Sequence, residues 1–193
     1  MIKKVAETSE AVREQIADFA RHGFKDHVCE LRAGEPVPVF KCSQPGTWNC
    51  GFFVTFPPGA IVIYGDIGEA SVFVPRCGGS VAGRIAWLRG AVGSPSYLLE
   101  KRQGTVVEDF YAGDVDKLVR EREDELRADG IDFDHSGVWQ ALREDEYSPE
   151  ECGRELHDAG LADDGVPGYG PSASVLWTIE ALRWFVANVK AVA

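Results

Sequence analysis

Apolar residues recur at two different spacings along this chain, and the switch between them falls near residue 37. Before it, residues 5–21 place Val12, Ile16, Phe19 and Ala20 three to four apart behind Thr8-Ser9-Glu10, which predicts one amphipathic helix stopped at Gly23. A mixed polar stretch follows, with room for a short strand at residues 28–31. From Val37 the period falls to two. Residues 37–42, 50–56, 60–64 and 70–74 are runs of β-branched and aromatic residues. Gln44-Pro45-Gly46, Pro57-Pro58-Gly59 and Gly65-Asp66-Ile67-Gly68 separate them with turn chemistry. Connections this short leave no room for crossover helices, so consecutive strands must pair antiparallel. Alternation puts Phe52, Val54 and Phe56 on one face of the third run and Phe53 and Thr55 on the other.

Beyond Arg76 the helical period returns. Residues 81–91 carry Ile85 and Leu88 on one stripe, and Ser94-Pro95-Ser96 opens a short helix through Lys101. Residues 114–129 form a helical pattern ending at Gly130, and residues 137–146 a short one around Trp139 and Leu142. Ser148-Pro149 starts another, with Glu150 and Glu151 where the helix dipole favours acids. Residues 162–170 read as a loop. Ser172 or Ser174 then caps a last helix to about Lys190, apolar around much of its circumference. The predicted fold is α+β: a four-stranded antiparallel β-meander with an N-terminal helix and a helical C-terminal half. It is expected as a single domain over residues 1–193, β-rich at about 36–76 and acidic and helical at about 80–190.

Charge sharpens this division. The formal net charge is −11, yet residues 104–170 hold 20 Asp or Glu against 6 Lys or Arg, while residues 1–103 are net +2. That balance disfavours direct nucleic-acid binding by the acidic part. A chain of 193 residues buries roughly 70% of its unfolded surface and needs no staple. Five cysteines without a CxxC pair are expected as reduced, mostly buried thiols, with no zinc ribbon and no cofactor. The N-terminus lacks a signal-peptide apolar core and no apolar run approaches membrane-spanning length, so a cytoplasmic protein is expected.

Candidate chemistry is sparse. The Gly65–Glu69 stretch matches no phosphate-binding pattern, and a carboxylate inside it would repel phosphate. Asp66 and Glu69 form a carboxylate pair at a turn, suited to acid–base or metal work with His27 or His135, or Asp66 acts as a turn residue accepting backbone N–H groups. Asp132-Phe133-Asp134-His135 has metal-like spacing, with His157-Asp158 as possible company, and equally fits a helix cap at Asp134. His22 suits a helix C-terminus. No nucleophile motif accompanies Cys42 or Cys50. Trp48, at a glycine-bracketed turn, is a candidate anchor for a binding surface. Glu121, Glu123, Asp124, Asp132, Asp134, Glu144, Asp145 and Glu146 are candidates for a carboxylate array that imitates duplex phosphates, against the plainer reading of a solvated helical face.

The order Pro45-Gly46-Thr47, an aromatic strand ending Thr55-Phe56-Pro57-Pro58-Gly59, and Ile61-Val62-Ile63-Tyr64-Gly65-Asp66-Ile67-Gly68-Glu69 resembles a family of uncharacterised phage and prophage proteins. Their recurring core reads as a Pro-Gly-Thr turn, an aromatic strand, a Trp-Pro-Gly turn and a Gly-Asp-x-Gly turn. Weaker similarity continues through residues 97–101, 147–151 and 176–185. This chain departs from the pattern at Cys50, where an aromatic is expected, and at Phe56-Pro57, in place of Trp-Pro. The resemblance brings no catalytic residues. It implies a small accessory protein made inside a bacterial host. Three functions are then expected to compete: a non-enzymatic, anti-defence-like binder of a host protein or complex, an enzyme using Asp66 and Glu69, and an assembly component.

Overall fold

The computed structural model describes residues 8–67, 70–77, 79–104, 108–130, 154, 156–157 and 169–190. The chain divides into two compact units, one of residues 1–12 and 108–171, the other of residues 13–107 and 172–193. Helix α1 (Ser9–Gly23) opens at Thr8, whose Oγ1 accepts the Ala11 N–H at 3.1 Å and satisfies one donor of the first turn.

The larger unit is built on a five-stranded sheet, β1 (Val28–Leu31), β2 (Val39–Ser43), β3 (Phe52–Thr55), β4 (Ile61–Gly65) and β5 (Ser71–Phe73), in that spatial order. Every neighbouring pair is antiparallel, so the meander is present. The expected count of four strands is corrected to five. The added strand is the short Val28–Leu31 segment, which lacks a clear period because it is an edge strand exposed on most of its length. Backbone pairing to β2, with Cys29 opposite Cys42, holds it.

One face of this sheet is the core. Phe52 and Val54, with Phe40, Ile61, Ile63 and Phe73 on the neighbouring strands, are buried. They pack with Phe24 behind α1, with α2 (Val81–Ala91) through Ile85 and Leu88, and with α5 (Ala173–Asn188) through Ile179, Leu182 and Phe185. Edge-to-face ring pairs fix the fit: Phe24 to Phe52 at 5.5 Å, Phe40 to Phe185 at 5.3 Å and Phe52 to Trp184 at 5.9 Å between centroids. Ser172 caps α5, accepting the Val175 N–H, and Ser80 caps α2, accepting the Gly83 N–H. Between these helices lies the short α3 (Pro95–Glu100), with Pro95 at its start.

Arg84 of α2 is only 4% exposed. Its guanidinium donates to the carbonyls of Phe56, Pro57 and Ala60 and lies 5.5 Å from the Phe56 ring. The Pro-Pro-Gly turn is thus gripped by a buried cation whose charge is spread over three backbone carbonyls.

In the smaller unit, strand β6 (Glu108–Phe110) pairs antiparallel with β7 (Tyr169–Pro171). The C-terminal half, expected to be helical, therefore also carries a two-stranded sheet, and Tyr169 and Gly170, expected in a loop, are strand residues. Helix α4 (Ala112–Ala128) buries Val115 and Val119. Its first turn is tied to α1 by Asp114, whose carboxylate accepts the Ser9 N–H at 3.2 Å. The Tyr111 hydroxyl donates to the Pro171 carbonyl at 2.7 Å. The helix expected over 137–146 lies outside the described residues, and of the one expected after Ser148 only residues 154 and 156–157 are described, all of them helical.

Candidate binding face

The second face of the five-stranded sheet carries a different residue set. Strand register aligns Glu30, Lys41, Phe53 and Tyr64 in one row across β1 to β4. The turn between β2 and β3 folds Trp48 back over this row. Its ring lies 5.0 Å from that of Phe53, tilted by 36°, and Phe53 lies 5.2 Å from Tyr64, tilted by 32°. The result is a continuous aromatic ribbon from the turn to β4. Trp48 is 40% exposed and Tyr64 39%. Two cations border the ribbon: the Lys41 ammonium is 5.8 Å from the Trp48 ring centroid, and the Arg32 guanidinium 6.0 Å from that of Phe53. Arg32, Lys41, Trp48 and Phe53 line a shallow, open depression of about 360 Å³.

Two glycines make this arrangement possible. A Cβ at Gly51 would stand 2.6 Å from the Trp48 ring and 2.8 Å from its carbonyl oxygen, closer than any real side chain sits. Gly65 has φ +146°, and its Cβ would meet the Phe52 Cα at 2.6 Å. Both positions require backbone without a side chain. Thr47 Oγ1 accepts the Asn49 N–H at 3.2 Å and closes the Trp48 turn.

Asp66 is tied into the same region. Its N–H donates to the Gly51 carbonyl at 2.7 Å, and its carboxylate accepts the Cys50 N–H at 3.1 Å. Cys50 holds φ +53°, the left-handed region that a side chain enters at a cost. Its carbonyl accepts from His27 Nε2 at 3.1 Å, so Cys50 is clamped from both sides. His27 is 8% exposed among Phe24, Phe52 and Trp184, with Nδ1 buried and without a hydrogen-bond partner among the described residues. Burial lowers its pKa from the usual imidazole value, opposed by the bond to Cys50. Asp66 therefore does anchor backbone, reaching across to the turn that holds Cys50. Glu69, its expected companion, lies outside the described residues.

The acidic candidates divide similarly. Asp132, Asp134, His135, Glu144, Asp145 and Glu146 lie outside the described residues. Glu121 and Asp124 are exposed on α4, and Glu123 is half-buried. Helix α4 holds six Asp or Glu against four Lys or Arg, and three of the acids meet those bases one turn away. The pairs are Arg120–Asp116 at 2.9 Å, Arg122–Glu125 at 2.7 Å and Arg127–Asp124 at 3.3 Å. Exposed pairs of this kind contribute only tenths of a kcal/mol, but they neutralise much of the local field. Among the described residues no three His, Cys, Asp or Glu side chains converge as a metal set. Nor is any described helix long and apolar enough to cross a membrane.

Of the ribbon, Trp48 is foreseeable from its turn. Phe53 and Tyr64 follow only once alternation is combined with register, and Arg32 and Lys41 have no local signal beyond their charge. Comparison of the chain with protein-family models, with curated proteins and with solved structures finds no match.

Proposed function

We propose that this chain is a non-enzymatic binding protein, an accessory protein of phage or prophage type that engages a protein or complex of its bacterial host through the open face of its five-stranded sheet. The carrying observation is the Trp48–Phe53–Tyr64 ribbon with Arg32 and Lys41 on its border. Trp, Tyr and Arg are the residue types that concentrate binding energy at protein interfaces, because they bring large rigid area together with polar handles. Here they occupy a face that the helices of the unit leave open, beside a core face that needs none of them. The Cys50 N–H that the Asp66 carboxylate accepts supports the turn role of Asp66 over the enzyme reading.

A second reading keeps the acidic half as the working surface. It is favoured by the exposure of Glu121, Asp124, Glu125 and Asp129 along the last turns of α4. Ionic strength separates the two. A carboxylate array facing a basic groove loses its hold steeply as salt rises, because its contacts are screened charge pairs. An aromatic face dissociates little over the same range. Capture of a partner from bacterial host lysate on the immobilised protein, followed by a salt wash from low to physiological strength, is expected to leave the complex intact. Elution within that range would transfer the function to the acidic half. The absence of any captured partner would contradict both and favour an assembly role, visible as a discrete oligomer in light scattering.

A further inference from the structure

Cys29, Cys42, Cys50 and Cys77 are free thiols, and two of them meet. Cys29 on the edge strand β1 lies directly opposite Cys42 on β2, with their sulfurs 3.6 Å apart. The Arg32 N–H donates to the Val39 carbonyl at 2.9 Å, which makes that a hydrogen-bonded rung. Rungs alternate along an antiparallel pair, so the Cys29–Cys42 rung, three residues further along, is a non-hydrogen-bonded one. There the Cα atoms approach to about 4.5 Å, inside the range that a disulfide bridges without moving backbone.

We infer that Cys29 and Cys42 are a reversible cross-strand dithiol, closed to a disulfide by exchange with a low-molecular-weight disulfide such as glutathione disulfide. This stands independently of the binding reading.

The two thiols have different roles. Cys42 is fully buried and its Sγ–H donates to Cys29 Sγ. That hydrogen bond holds the Cys29 pKa below the usual thiol value and, with burial, pushes that of Cys42 up. Cys29, half-buried on the sheet's outer strand, is the one a small disulfide can reach. Its thiolate attacks one sulfur of the small disulfide. That S–S bond breaks, one small thiolate leaves and takes up a proton, and a mixed disulfide remains on Cys29. Cys42 then no longer faces a thiolate, and as it reacts its proton passes to the departing second small thiolate. Cys42 attacks Cys29 Sγ and expels the second small thiolate. Two protein thiols are oxidised and one small disulfide is reduced to two thiols. Reduced small thiols in excess reverse both steps.

The closed ring spans Cys29 to Cys42, 13 positions apart, and staples the exposed edge strand to its neighbour. The test uses the full chain with millimolar glutathione disulfide near pH 8, quenched with acid and read by intact mass and peptide mapping. The expected product is two hydrogens lighter, carries a Cys29–Cys42 link and returns to the dithiol with dithiothreitol. Its melting temperature is expected to rise by about 5 °C or more. Cys42→Ser is expected to stop at one glutathione on Cys29, and Cys29→Ser to leave Cys42 unmodified while the chain is folded. Persistence of both thiols, a stable glutathione adduct on wild-type Cys29, or a link from Cys29 to Cys50, Cys77 or Cys152 would overturn the inference.

Discussion

Phe52 and Phe53 are neighbours in one strand and identical in chemistry, yet they serve opposite faces of the same sheet. Phe52 is 0% exposed, enclosed by Phe24, His27 and Trp184. Phe53 lies half-buried between Trp48 and Tyr64, on the face opposite the one that α2 and α5 cover among the described residues. The difference teaches how this unit separates tasks. Period-two alternation sends Phe52 and Val54 to a closed core that supplies stability and puts Phe53 in the exposed aromatic ribbon.

Substitutions in the core should show the largest effect. Phe52→Ala is expected to cost about 3–5 kcal/mol, through lost burial plus the cavity it leaves. Phe53→Ala should cost about 1 kcal/mol or less, because its neighbours can relax into solvent. Denaturant melts of the two variants measure the gap; equal losses would erase the distinction between the faces. Next comes Arg84→Ala, which leaves the buried Phe56 carbonyl and the part-buried Pro57 and Ala60 carbonyls without their shared donor and is expected to cost about 3 kcal/mol. Gly51→Ala is smaller in stability but specific in place. Its new Cβ must displace the Trp48 ring, so tryptophan fluorescence should shift to the red while the sheet's circular dichroism stays unchanged.

The smallest effect is in pH. The folded His27 takes a proton only below the usual imidazole value, because burial penalises the cation. The unfolded chain takes that proton near pH 6.5, so below this it binds more protons than the folded chain. The stabilisation is complete above about pH 6.5 and is lost as pH falls from there towards the lowered folded value. His27→Gln, which retains a donor for the Cys50 carbonyl, should flatten the dependence of melting temperature over pH 5–7 relative to wild type. An unchanged slope would place the pH sensitivity elsewhere.

Much of this scaffold is legible in the sequence because its signals are local. The four aromatic and β-branched runs and their Gly-Pro turns yield strands β2 to β5 and their antiparallel order. Likewise, the Ser-led start of the last helix at residue 172 is a capping pattern read over three residues. β1 is not legible to the same degree, since Val-Cys-Glu-Leu is too short to declare a period. β6 and β7 are three residues each and pair across some sixty positions, which no local pattern encodes. The candidate site shows the same limit. Trp48 stands out as a turn aromatic, but its platform depends on the register that sets Lys41, Phe53 and Tyr64 in line. Asp66 is readable as a turn residue. That its carboxylate reaches Cys50, sixteen residues back, is a property of the folded hairpins alone.

The open face is the central claim, and a paired capture experiment tests it most directly. Wild type, Trp48→Ala/Tyr64→Ala and Glu121→Gln/Asp124→Asn/Glu125→Gln are compared for retention of the partner from bacterial host lysate, with melting temperature as the control for folding. Removing the two aromatics is expected to weaken the complex by about tenfold or more, the equivalent of about 1.4 kcal/mol, with the melting temperature nearly unchanged. Neutralising the α4 acids is expected to leave it intact. Full retention by the aromatic variant, with loss in the neutralised one, would contradict the account and assign the partner to the acidic helix.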